Sequence, residues 1–139
     1  MAGYSGTPLI NKIGIKPGHR VAVVDSPNGF AKELGPMPED ARIVSADGTA
    51  RPGTLDVVIL FLKGRASMEK QLPKLKTKIA QAGMIWAAWP KKASGVETDL
   101  NENIIRDTAL ADGLVDIKVC AINEIWSGLK LVIPVKDRK

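Results

Sequence analysis

The stretch DVVILFL, Asp56 to Leu62, decides how this chain is read. Val57 to Leu62 is an unbroken run of aliphatic and aromatic side chains, half of them β-branched, which favours extended backbone. It is far too short to span a bilayer. With no polar residue in the run, neither face of the strand can meet water. Such a strand belongs at the centre of a sheet that is covered on both sides.

Working outward, Arg20 to Val24 (RVAVV) and Met84 to Trp89 repeat this pattern more briefly. Met68, Leu72, Leu75, Ile79 and Ala82 fall at alternating spacings of four and three, the apolar stripe of a helix packed on a sheet. Pro73 implies a kink in it, or a helix that begins near that residue, and Gly83 is its expected close. Ala41 to Ser45 reads as a short strand. Leu9 to Ile15 and Asn28 to Leu34 read as short helices, each followed by a Pro and Gly turn. Asp99 and Glu102 have capping-box spacing for a helix that ends before Gly113. Leu114 to Ile122 and Leu129 to Val135 alternate and are joined through Ser127 and Gly128, as in an antiparallel hairpin. Pro134 implies an edge strand. The expected fold is α/β, a single Rossmann-like domain over residues 1–139. It has a mostly parallel sheet, helices on both faces and a C-terminal antiparallel hairpin.

The 139 residues suffice for a core without metal or disulfide. Apolar residues make up 45% and charged ones 25%, as in ordinary globular proteins. The opening MAGYSGTPL has neither the basic start nor the apolar stretch of a secretory leader. With one cysteine, Cys120, a reducing cytoplasmic setting is expected and no membrane association. Net charge is +5, and Lys70, Lys74 and Lys78 form a stripe that reads as a solvated helix face. Aromatics are only 4%, too few for a base-stacking platform, so nucleic acid is a disfavoured partner. One histidine, His19, and one cysteine leave no metal constellation, and no nucleophile-base or paired-carboxylate set stands out. Cys120 and Trp86 read as core, and Asp116 with Lys118 as a charge pair on an edge strand.

The segment WPKKASGVETDL, Trp89 to Leu100, is the candidate site, because it follows the carboxyl end of a parallel strand. Ser94 and Gly95 give room for backbone amides to face a ligand. Thr98 or Asp99 would start a helix whose positive end favours an anion, and Lys91 and Lys92 add charge. A plain polar loop with a capped helix is the competing reading. Ser5 and Thr7 in the glycine-rich N-terminal segment could supply hydroxyl donors to the same edge, and Trp126-Ser127-Gly128 could close it from the hairpin.

The architecture resembles the S-adenosylmethionine-dependent methyltransferases. Lys12 to Val24, KIGIKPGHRVAVV, is similar to the lead-in to their first strand, and the terminal hairpin is shared. The chain also resembles a small bacterial family of unknown function. It shares that family's GYSGTPL block at Gly3 to Leu9, its WPKK and TDL block at Trp89 to Leu100, and its GLVD, KVCA and WSGL block at Gly113 to Leu129. The methyltransferase resemblance implies a cofactor held by Asp25, Gly29 and Asp47. The loop Asp25-Ser26-Pro27-Asn28-Gly29-Phe30 carries one acid and one glycine where those enzymes have an acidic, glycine-rich turn. The short span from Ser45 to Asp56 implies that one outer strand is missing, and there is no Asp-Pro-Pro-Tyr-like motif. The expected function is a non-catalytic domain that binds a small anionic or nucleotide-like ligand, or a protein partner. The alternative is a minimal S-adenosylmethionine-dependent methyltransferase.

Overall fold

The computed structural model describes residues 8–44 and 51–139. Six strands form one sheet in the order β2-β1-β3-β4-β6-β5: β1 (Arg20–Val24), β2 (Arg42–Ile43), β3 (Leu55–Phe61), β4 (Ile79–Pro90), β5 (Val115–Ala121) and β6 (Trp126–Val132). Strands β2, β1, β3 and β4 are parallel, and β6 runs antiparallel between β4 and β5. The sheet is thus mixed, Rossmann-like and closed by an antiparallel pair, as expected. Among the described residues it ends at the two-residue β2.

Helices α1 (Leu9–Ile13) and α2 (Phe30–Leu34) cover one face, while α3 (Arg65–Lys78) and α4 (Glu102–Ala111) cover the other. Alternate residues of β3 feed the two cores. Val58 and Leu60 pack with Met68, Leu72, Ile105 and Ala109, whereas Val57, Ile59 and Phe61 pack with Ile13, Phe30 and Trp86. Every residue from Val57 to Leu62 is at most 3% exposed, so the uninterrupted apolar run is explained by two covered faces. Phe61 is clasped edge-on by Phe30 and by Trp126, at centroid distances of 4.7 and 5.0 Å.

Five local expectations are corrected. Helix α3 starts at Arg65, well before Pro73, and the proline sits on its exposed side. The helix ends at Lys78, not at Gly83. Ile79 is already extended and pairs with Leu55, the register then shifts, and pairing resumes at Val57↔Met84. Gly83 is required in that irregular stretch, since a Cβ there would lie 2.8 Å from the Leu55 carbonyl oxygen. Pro134 lies beyond β6, an interior strand, and opens a short 3-10 turn at Val135–Asp137. Asp116 and Lys118 do not pair with each other. A register shift separates them, and Asp116 accepts from Arg106 Nε at 3.0 Å. Trp126 to Gly128 forms the first part of β6, with Trp126 buried, and not a lid.

Candidate functional site

The candidate segment leaves β4 at Pro90, the last residue paired with β6. The Lys91 N–H donates to the Ile125 carbonyl at 2.7 Å, which seats the loop against the hairpin. A 3-10 turn follows at Lys92–Ser94, and Gly95 closes it at φ +78°. The amides at the end of this turn are used internally. Ser94 and Gly95 N–H donate to the carbonyls of Lys91 and Lys92, and Val96 N–H donates to Ser94 Oγ at 3.2 Å. Ser94 Oγ in turn donates to the Lys91 carbonyl at 2.6 Å. The expectation that Ser94 and Gly95 turn amides toward a ligand is therefore corrected.

Thr98 and Asp99 do not begin a helix either. Asn101 caps α4, its Oδ1 accepting from Ile104 N–H at 2.9 Å. Thr98 Oγ1 donates to the Lys63 carbonyl at 2.6 Å and accepts from Leu100 N–H. Asp99 Oδ1 accepts from Arg65 N–H at 2.9 Å, so it caps the start of α3 from 34 residues away. Its charge suits the positive end of that helix. The loop after β4 is thereby stitched to the loop after β3.

Between the two loops lies an open cleft of ≈ 920 Å³. Trp89, Lys92, Gly95, Thr98 and Asp99 line it, while Lys91 and Ser94 do not. Lys63 and Gly64 form the opposite wall. Sequence reading missed these two, although Lys63 follows almost directly on the central strand and was findable on that ground. Two lysines, Lys63 and Lys92, meet two carboxylates, Glu97 and Asp99, over an apolar floor of Trp89 and Leu100. Balanced charge suits a polar or zwitterionic ligand better than a bare anion.

The chain passes from β1 to β2 on one side and then to β3 on the other. The switch-point crevice thus falls between the carboxyl ends of β1 and β3, next to this cleft. Asp25 stands there, exposed, at φ +55°, a strained conformation for an L residue outside glycine. Its Oδ2 accepts from Gln71 Nε2 at 3.1 Å, and the same amide donates to Ser67 Oγ. Gly29 has φ +85° and open space where a Cβ would stand, so a ligand can approach its backbone. An oriented acceptor and an approachable glycine fit an adenosyl cofactor, with the Gln71 contact as the one bond to exchange. Asp47, Ser5 and Thr7 lie outside the described residues.

Among the described residues no group of His, Cys, Asp and Glu is placed to hold a metal, and no helix is long and apolar enough to cross a membrane. His19 accepts from the Lys16 N–H at Nδ1. Cys120 is half-buried on β5. Burial pushes its thiol up, against the opposing influence of Lys12 and Lys118.

No protein-family model matches the chain. No curated protein matches it. Solved structures do. A SAM-dependent methyltransferase from Aquifex aeolicus superposes with a TM-score of 0.66 at 14% identity, over 90% of this chain and 88% of that one. The chain has a methyltransferase fold. A TehB-like SAM-dependent methyltransferase from Corynebacterium glutamicum gives 0.58 at 10% identity, over 90% and 85%. A ribosomal protein L11 methylase from Lactobacillus delbrueckii subsp. bulgaricus gives 0.59 at 14%, over 90% and 74%.

Proposed function

We propose that this methyltransferase-fold chain binds S-adenosylmethionine at the β1/β3 crevice and acts as a small methyltransferase. The observation that carries the reading is the coincidence of the fold's switch point with Asp25 and an unobstructed Gly29. Asp25 would accept hydrogen bonds from the cofactor's hydroxyl or ammonium groups, and Gly29 would let its backbone lie close. When bound, S-adenosylmethionine supplies an electrophilic methyl group on a sulfonium. The adjoining cleft between Lys63 and Thr98 offers charged and apolar walls for the second reactant. This reading is favoured over a purely non-catalytic domain because the structural relatives named above are methylating enzymes.

Titration calorimetry with S-adenosylhomocysteine tests it. At about 1 mM ligand, a Kd of about 10 µM would stabilise the fold by roughly 2.7 kcal/mol, a clear thermal shift. Asp25→Ala is expected to weaken binding by about tenfold, the loss of one charge-assisted bond. No heat and no thermal shift from S-adenosylmethionine or its product would overturn the proposal.

A further inference from the structure

The open face of the C-terminal hairpin carries charge that the crevice does not use. Lys118 on β5 and Lys130 on β6 are directly opposed, and Lys130 is in turn opposed to Trp86 on β4. All three side chains therefore stand side by side on one face of the sheet. Lys118 Nζ lies 5.9 Å from the centroid of the Trp86 ring. Trp86 itself is fully buried and donates from Nε1 to the Ile13 carbonyl at 2.9 Å, so the platform beneath the lysines is fixed. Lys16, just past α1, adds its positive charge to that acting on Lys130. Like charges directly opposed across two strands destabilise a sheet. None of these three lysines forms an ion pair. Lys130 is half-buried. Burial first, then the charges of Lys118 and Lys16, hold its ammonium below the ordinary lysine range. Lys12 extends the positive field toward Cys120 while donating to the Ala121 carbonyl at 2.7 Å.

Lys16, Lys118 and Lys130, none of them in a salt bridge among the described residues, call for a compact anion of several charges. On an extended acidic peptide, same-face carboxylates stand about 6.5–7 Å apart, two residues of rise. Opposed residues on neighbouring strands are nearer, at about 5 Å. Phosphoryl groups that share a bridging oxygen concentrate their charge over that shorter reach. We propose that Lys16, Lys118 and Lys130 form a binding site for a di- or triphosphate group on the open face of the hairpin, apart from the carboxyl-edge crevice. The group belongs either to free polyphosphate or to a nucleoside polyphosphate. Three ammonium donors offset most of its charge, and the Trp86 platform fixes the Lys118 end of the site.

The test is calorimetry of the intact chain with sodium tripolyphosphate and, in a parallel arm, ATP. One-to-one binding is expected, weakened about tenfold by Lys118→Gln and by Lys16→Gln. Both positions are exposed, so the variants should melt as the parent does. S-adenosylhomocysteine binding should be unchanged in both. Equal affinity in the two arms assigns the site to free polyphosphate. Tighter ATP binding with the same lysine dependence assigns it to a nucleotide. Three results would overturn the proposal: no saturable binding of either at about 1 mM, binding indifferent to both substitutions, or lysine-dependent binding confined to an acidic peptide or an RNA oligomer.

Discussion

The loop from Trp89 to Asn101 and the lysine face of the hairpin are both polar, both basic in part, and built in opposite ways. In the loop the short polar side chains have protein partners: Ser94 serves its own turn, Thr98 ties down Lys63, and Asp99 caps α3. On the hairpin, Lys118 and Lys130 stand opposed, Lys16 adds its charge to theirs, and none of the three is in a salt bridge among the described residues. By sequence the first looked like an anion site, and of the second only Lys118 stood out, as one half of an edge-strand charge pair with Asp116. What separates them is satisfaction. Polar groups that have spent their hydrogen bonds on the fold shape a cleft, whereas groups left with surplus charge are available to a ligand.

The sharpest way to break that contrast is at its hinge. Trp86→Ala removes a fully buried indole and its bond to the Ile13 carbonyl, and should cost about 3–5 kcal/mol. A fall in the denaturation midpoint reads this. A loss under about 1 kcal/mol would mean that the lysines stand on no rigid platform. Next comes the loop. Asp99→Ala should cost about 1 kcal/mol by uncapping α3, while Lys91→Ala with Lys92→Ala should stay within about 0.5 kcal/mol. The reverse ranking would make the lysines structural and the Asp99 contact incidental.

The smallest effect lies at Lys130. Its folded-state affinity for a proton is depressed, so between that lowered value and the ordinary lysine range the unfolded chain binds more protons. Stability should therefore rise with pH across that window, as repulsion from Lys118 and Lys16 is relieved, with the full cost present below it. Lys130→Leu should flatten this rise and add no more than about 0.5 kcal/mol after solvent screening. Denaturant midpoints at neutral and alkaline pH distinguish the two chains. A stability that falls through the window would invert the electrostatic account.

The fold was legible where burial alone dictates conformation. DVVILFL announced a central strand because two covered faces leave no polar position. The alternating pair near the C-terminus announced a hairpin because each of its strands has faces in different surroundings. The start of α4 was misread for a different reason. Asp99, with Glu102 three residues on, has the spacing of a local cap, but it is recruited by Arg65 from a distant loop, and Asn101 takes the nearer role. No local pattern records such a long-range engagement. Gly83 misled similarly: it looked like a helix stop, yet the glycine is required by the Leu55 carbonyl of the neighbouring strand. The candidate site was half legible. The loop was identified, but its opposite wall at Lys63 and Gly64 follows another strand and meets the loop only once the sheet is assembled.

The Asp99 contact also makes the loop a reporter. Arg65 N–H, at the start of α3, has its acceptor on a different segment, so its exchange with solvent reads how often the contact between the two loops breaks. A molecule that settles between Trp89 and Lys63 should hold them closed and slow deuterium uptake at Arg65 ahead of the rest of the helix. The first turn of α3 thus keeps a time record of how often the cleft opens, readable one amide at a time.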